Sequence, residues 1–193
     1  MTQKIAIVGL GHYAKKFILE TINSGDQRLE FVVGFDIAEN KVEKSIYEIL
    51  DIKPCSWVKA TAKIFPCDVY DSVEVHKDRY NEDKTFKVHP NIKDYGSGCS
   101  FSLGHYEIVQ KLKETKANIV INYIPYGSVT ANGKWSSICL EADCHLINFN
   151  PSYSYGFLAD RIKESFKNKN LNYIESILRG NFHSSKLLKL FYA

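Results

Sequence analysis

Two glycines and a small residue follow the first apolar run of the chain. The stretch KIAIVGLGHYAKKF, from Lys4 to Phe17, contains the spacing Gly9-x-Gly11-x-x-Ala14. The first glycine permits a tight turn, the second lets a pyrophosphate approach the backbone, and the small third residue lets helix and strand pack closely. The amides of a helix beginning near His12 would point at the phosphates. The spacing predicts a dinucleotide site; the alternative is a tight turn without a cofactor.

An acidic residue ends the second apolar run. The stretch LEFVVGF, residues 29–35, is followed directly by Asp36. A carboxylate at this point of a dinucleotide fold accepts hydrogen bonds from the adenosine ribose and repels a 2′-phosphate, so the sequence favours NAD over NADP. In the alternative interpretation, Asp36 only caps a helix that begins near Glu39.

A third stretch with polar groups is NYIPYGS, from Asn122 to Ser128. It follows a predicted buried strand, and ligands of open parallel sheets bind beyond the carboxyl ends of the strands. We expect Pro125 and Gly127 to shape a bend there, and Asn122 or Ser128 to reach a ribose or nicotinamide group. The alternative is an ordinary loop between a strand and a helix.

The elements that must position these residues follow from apolar periodicity. It predicts strands over residues 4–8, 29–35, 61–65, 117–124 and 145–149, and helices over 12–22, 39–50, 105–116, 132–142, 157–167 and 171–178. Alternating strands and helices imply a parallel sheet. We therefore predict a doubly wound α/β domain of Rossmann type over residues 1–151, with a long loop over 66–103, and a helical tail over 152–193.

Composition limits the class of protein. The 193 residues are 45% hydrophobic and 13% aromatic, which predicts one folded core. The 25 basic residues are scattered among 22 acidic ones, so no nucleic-acid partner is expected. We expect no secretory leader, and the sequence contains no apolar run of about 20 residues, so we expect a cytoplasmic protein without membrane contact. No metal site is predicted, because Cys55, Cys67, His76 and His89 fit no common zinc spacing.

Several ordered motifs resemble one family. The stretch Ala117–Pro151, ANIVINYIPYGSVTANGKWSSICLEADCHLINFNP, resembles prokaryotic myo-inositol phosphate synthases, in which an N-Y-L-P-x-G-S turn and an L-E-A-G-C step precede a strand ending in V-N-x-x-P. The stretch Phe31–Leu50, FVVGFDIAENKVEKSIYEIL, is similar to the family's V-x-A-F-D-I-D-x-x-K-V-G-K segment. The opening GLGHYA resembles its G-V-G-N-x-A. The resemblance covers residues 3–151.

This resemblance implies NAD as cofactor and a sugar phosphate as substrate. The family converts glucose 6-phosphate to inositol phosphate by a transient oxidation, ring closure and reduction, which makes it an isomerase. The matching motifs imply that the cofactor contacts Gly9, Gly11, His12 and Tyr13 at the pyrophosphate, Asp36 at the adenosine ribose, Pro125, Tyr126, Gly127 and Ser128 along the groove, and Asp71 as a further candidate.

The chain also departs from the family. His12 stands where the family has Asn, and Asp143 stands where the L-E-A-G-C step has glycine. No G-D-D-x-K-S segment and no catalytic lysine region follow Pro151, so no catalytic residue is assigned. We expect the cofactor half of a synthase, shortened or diverged, with the apolar end LLKLFYA docking a second copy or a partner that supplies the missing half. The alternatives are an inactive NAD-sensing or assembly module and a small NAD-dependent oxidoreductase of another family.

Overall fold

Six parallel strands form the centre of the molecule. The computed structural model describes residues 2–25, 27–59, 62–66, 104–124, 129–149 and 156–175. Its strands are β1 Gln3–Val8, β2 Leu29–Asp36, β3 Ile64–Pro66, β4 Ile119–Asn122, β5 His145–Asn148 and β6 Tyr173–Glu175. They lie in the order β3-β2-β1-β4-β5-β6, and every neighbouring pair is parallel. This order confirms the predicted doubly wound α/β fold.

Helices cover both faces of the sheet. The described helices are α1 His12–Ser24, α2 Ile46–Leu50, α3 His105–Thr115, α4 Val129–Glu141 and α5 Gly156–Asn168. Apolar side chains of α1 and α2 pack on one face, and those of α3, α4 and α5 pack on the other. The helices before β4 and after it lie on the opposite face from α1 and α2, so the strand order reverses between β1 and β4. This position is the switch point, beyond which ligands bind in open α/β sheets. None of the helices in the described ranges is long and apolar enough to cross a bilayer.

The central strands are buried on both sides. Ile5 and Ile7 of β1 pack on the α1 face, whereas Ala6 and Val8 pack on the opposite face. This two-sided burial explains why the strands read as continuous apolar runs rather than alternating ones. In β2, Gly34 leaves the space that the side chain of Ile64 from β3 occupies.

The predicted helix over residues 39–50 is wrong in its first half. Turns occupy residues 39–43, Glu43 has a left-handed φ of 68°, and only Ile46–Leu50 is helical. The backbone N–H of Glu48 donates to Ser45 Oγ at 3.3 Å, and the N–H of Ser45 donates to the Glu48 carboxylate at 2.7 Å. This capping box starts the helix at residue 46 and lowers the pKa of Glu48.

The predicted helix over residues 171–178 is also wrong over 171–175, and the remaining three residues lie outside the described ranges. Tyr173–Glu175 is a strand whose Tyr173 pairs with Leu146 of β5. The preceding helix prediction, over 157–167, is confirmed by α5. The strand β6 therefore joins the sheet although it follows residue 151, and the division into two parts at that residue stays a prediction. The predicted long loop lies outside the described residues, apart from Pro66 at the end of β3.

Candidate functional site

The turn between β1 and α1 depends on Gly9. Gly9 has a φ of 77°, and its N–H donates to the carbonyl of Phe35 in β2 at 2.8 Å. A Cβ at this position would lie 3.3 Å from backbone atoms of Tyr123 and Ile124, just beyond β4. Glycine therefore allows both the left-handed turn and the close approach of the segment after β4.

The first turn of α1 is open to solvent. Gly11 is the N-cap residue, with an extended backbone and no side chain bonded to the helix N–H groups. Among the described residues, none other than the chain neighbours of Gly11 places an atom within 4 Å of the position that its Cβ would take. His12 and Tyr13 are exposed beside it, Tyr13 by 45%, with their ring centroids 5.6 Å apart. Uncapped N–H groups and the helix dipole make such a terminus suited to an anion.

Asp36 lies at the carboxyl end of β2 and faces this turn. Its Oδ2 accepts the N–H of Leu10 at 2.7 Å, and its Oδ1 accepts those of Ile37 at 2.8 Å and Ala38 at 2.9 Å. Lys41 Nζ donates to Oδ2 at 3.1 Å. The residue is 2% exposed, and these four donors provide its hydrogen bonds in place of water. The carboxylate thereby fastens the glycine turn to the end of β2.

Three buried amides join the next two strands. Asn122 Nδ2 at the end of β4 donates to Asn132 Oδ1 in α4 at 3.0 Å and to Asn148 Oδ1 in β5 at 3.2 Å. Asn122 Oδ1 accepts the N–H of Ile124 at 3.0 Å. These three asparagines, the amide cluster, are at most 3% exposed. Their hydrogen bonds satisfy groups that would be costly to bury alone.

The polar contacts continue from the amide cluster to β6. Asn148 Nδ2 donates to Tyr173 Oη at 3.5 Å, and Tyr173 donates to Glu175 Oε1 at 2.7 Å. Burial raises the pKa of Tyr173, so its hydroxyl stays protonated. Lys163 of α5 lies 3.7 Å from the other carboxylate oxygen of Glu175. The carboxyl ends of β4, β5 and β6 are thus connected by polar side chains.

The structure brings some of the predicted site residues together. Gly9, Gly11 and Asp36 meet at the switch point, and His12 and Tyr13 lie on the exposed first turn of α1. Asn122 lies at the expected strand end, but its side chain is buried in the amide cluster. The remaining candidates lie outside the described residues: Asp71, Pro125, Tyr126, Gly127 and Ser128. The role of each predicted residue in binding a cofactor stays a prediction.

Sequence reasoning missed Lys41, Asn132 and Asn148. Asn132 and Asn148 follow Asn122 by 10 and 26 residues, so only the fold reveals that they contact it. Lys41 follows Asp36 by five residues, but the apolar periodicity assigned it to a helix, so the sequence did not indicate its contact with Asp36.

Two buried thiols, a histidine and a tyrosine have structural roles. Cys139 and Cys144 are fully buried, and burial raises the pKa of the Cys144 thiol to about 12. His105 begins α3, where its Nε2 lies 2.9 Å from the carboxylate of Glu141. Tyr123 stacks on Phe149 with ring centroids 4.9 Å apart.

No protein-family model matches this chain, and no curated protein sequence matches it. Several solved structures are similar to it. The crystal structure of Ari2 has a TM-score of 0.63 and 15% identity, covering 99% of this chain and 59% of that chain. An NAD binding oxidoreductase from Klebsiella pneumoniae has a TM-score of 0.53 and 10% identity, covering 99% of this chain and 38% of that one. The WlbA (WbpB) dehydrogenase from Thermus thermophilus, solved with NAD and alpha-ketoglutarate, has a TM-score of 0.50 and 14% identity over 98% of this chain and 45% of that one.

At these identities the similarity shows a shared fold. This chain has the α/β architecture of oxidoreductases that bind NAD. It spans between 38% and 59% of the length of these three structures.

Proposed function

We propose that this chain binds NAD at the switch point of its sheet, as the cofactor-binding part of an oxidoreductase. The observation that carries the proposal is the 2.7 Å hydrogen bond from the N–H of Leu10 to Asp36 Oδ2. It holds the open start of α1 beside the carboxylate that ends β2. An anion-binding terminus next to a ribose-binding acid is the arrangement that recognises adenosine diphosphate. The shared fold with NAD-binding oxidoreductases supports the same conclusion.

The described residues fit a dinucleotide at two places. Beside Gly11 there is open space where a side chain would otherwise stand, so a pyrophosphate can reach the backbone. The N–H groups that begin α1 have no side-chain cap, so they are available to phosphate oxygens. Asp36 would accept a ribose hydroxyl in place of one of its present donors. A bound nicotinamide would supply hydride transfer, and the chain's own residues position it.

The substitution Gly11→Val tests this proposal. The φ of −76° and ψ of −171° at Gly11 suit any residue, and the added side chain enters open space, so the fold is kept. The same side chain would fill the volume that the pyrophosphate needs. We expect the wild type to bind NAD in titration calorimetry and to melt at a higher temperature with NAD, and Gly11→Val to weaken binding at least about tenfold, as for loss of a charge-assisted contact.

Gly133 provides the matched control. It is an exposed glycine of α4 whose Cβ position is equally open. Gly133→Val adds the same side chain on another helix and should leave the pyrophosphate contact at Gly11 unchanged. Wild-type protein that does not bind NAD, or Gly11→Val that binds it as tightly as the wild type, would contradict the proposal.

A narrower proposal, inositol phosphate synthesis, is supported by the sequence resemblance. Asp143, which replaces the glycine of the L-E-A-G-C step, has a φ of 54°, a conformation that glycine favours and Asp tolerates. The backbone at this step is therefore one that the family's glycine would adopt readily. The test is to incubate the chain with NAD and glucose 6-phosphate and to separate any inositol phosphate by ion chromatography. NAD binding without this product would favour a sensing module or another oxidoreductase.

We further propose that a second copy of the chain, or a partner, supplies substrate-binding residues. The apolar end LLKLFYA in the sequence supports this proposal. Light scattering of the purified chain tests it, because a monomeric mass would rule out the second copy. Binding of a separate partner would then be tested by adding candidate chains to the monomer.

A further inference from the structure

All four acceptor positions of the Asp36 carboxylate are filled. A carboxylate offers about four lone-pair sites, and here three of them hold backbone N–H groups while the fourth holds Lys41 Nζ. The side chain of Asp36 is 3% exposed. A ribose hydroxyl can therefore bind Asp36 only by taking a position that one of these donors now holds.

Lys41 is the donor that can leave. The N–H groups of Leu10, Ile37 and Ala38 are fixed by the turns in which they lie, whereas the ammonium of Lys41 is carried on a flexible four-carbon chain. Its side chain is 21% exposed, so it has a path to solvent. Its backbone is held, because its N–H donates to the carbonyl of Ala38 at 3.0 Å. A displaced ammonium thus stays within reach of the ribose that displaced it.

We propose that Lys41 pairs with a 2′-phosphate on the adenosine ribose, so that the site takes NADP as well as NAD. This inference rests on the proposed function, since it concerns the ribose end of the same dinucleotide. A lone carboxylate at Asp36 would repel a 2′-phosphate, which is why the sequence favoured NAD. Lys41 reduces this repulsion, because its positive charge lies 3.1 Å from the carboxylate of Asp36. Exchanging the carboxylate for a phosphate gives the ammonium an equally strong partner.

Lys44 provides the matched control. It lies three residues further along the same stretch and is exposed, and its amine makes neither a hydrogen bond nor an ion pair with Asp36. Lys44→Gln removes the same charge as Lys41→Gln but not the group beside Asp36. The variant Lys41→Arg keeps the charge at the position itself and serves as the rescue.

The experiment is calorimetric titration of the wild type and the three variants with NAD and with NADP. We expect the wild type to bind both, and Lys41→Gln to raise the ratio of the NADP to the NAD dissociation constant roughly 10- to 100-fold, the range for losing a hydrogen bond to a charged group. Lys41→Arg and Lys44→Gln should keep the wild-type ratio. Melting curves without cofactor establish that each variant is folded, and Lys41→Met replaces Lys41→Gln if the latter is not.

The outcomes separate the two proposals. Wild-type protein that binds neither cofactor overturns the proposed function and this inference together. Wild-type protein that binds NAD but not NADP overturns only the inference. A Lys41→Gln variant that loses both cofactors equally also overturns it, because Lys41 would then act only by supporting the structure around Asp36.

Discussion

Replacing Asp36 with alanine removes the acceptor of three buried backbone N–H groups. These groups belong to the glycine turn and to the segment after β2, at distances of 2.7, 2.8 and 2.9 Å from the carboxylate. Alanine cannot accept any of them, and it also leaves Lys41 without its counter-charge. Asp36→Ala should therefore destabilise the folded chain even when no cofactor is present.

The expected loss follows from the number of hydrogen bonds. Each hydrogen bond to a charged group contributes about 1.5–3 kcal/mol, but water can enter at this edge of the sheet and replace part of the loss. We therefore expect a decrease of about 3–5 kcal/mol in the free energy of unfolding. For a chain of this size, this corresponds to a melting temperature lower by roughly 10 °C.

Urea unfolding monitored by far-ultraviolet circular dichroism measures this loss. Asp160→Ala is the control, because Asp160 is exposed on α5 and its loss should change stability by less than about 0.5 kcal/mol. A decrease below about 1 kcal/mol for Asp36→Ala would refute the reasoning, because the carboxylate would then not hold the turn. A second consequence is practical: Asp36→Ala is a poor probe of cofactor binding, since it also weakens the fold.

Three further predictions concern packing, thiol chemistry and pH. Gly34→Ala should cost about 1–3 kcal/mol, because its Cβ overlaps the side chain of Ile64; adding Ile64→Val should restore part of this loss in urea unfolding. Cys144, whose thiol pKa is raised to about 12, should resist alkylation at neutral pH while the partly exposed Cys55 reacts, as read by peptide mass spectrometry. Burial lowers the pKa of His145, so the folded state disfavours protonation of its ring, and the stability of the fold should fall as the pH drops below the ordinary pKa of 6.5. His145→Ala should reduce this dependence of the melting temperature on pH. An unchanged dependence would show that His145 does not cause it.

The order of the elements could be predicted because most strands are buried on both faces. Such strands leave uninterrupted apolar runs, and the helices between them keep a periodic apolar side. The end of α1 was also readable, since Gly25 adopts the left-handed φ of 67° that closes a helix. These signals depend on neighbouring residues in the sequence, so they can be read without knowing which elements pack together.

Two elements could not be predicted, because contacts distant in sequence decide them. Val42 and Ile46 have helical spacing, but residue 42 lies in a turn, and the N–H of Glu43 donates to the carbonyl of Ile64 in β3 at 2.8 Å, so the helix starts only after Ser45. Tyr173–Glu175 is too short to show a period of two, and it becomes a strand by pairing with β5. Tertiary pairing overrode local preference in both places.

The candidate site was predictable where glycine or acid chemistry identifies a position. Gly9 and Asp36 stood out because few residue types can turn the chain or end a strand in this way. Asn122 was predicted at the correct strand end, but its neighbours in α4 and β5 follow from the fold and not from spacing. The contact of Lys41 with Asp36 likewise depends on a turn that the periodicity had assigned to a helix.

The two halves of the carboxyl edge are held by different kinds of force. Near β2, the link between Lys41 and Asp36 is an attraction between full charges, with one partner partly exposed. At β4 and β5, the amide cluster is neutral and at most 3% exposed. Dissolved ions act only on the first kind of link, and they screen it weakly because Asp36 is buried. Raising ionic strength should therefore weaken the contact between Lys41 and Asp36 slightly and leave the amide cluster unchanged.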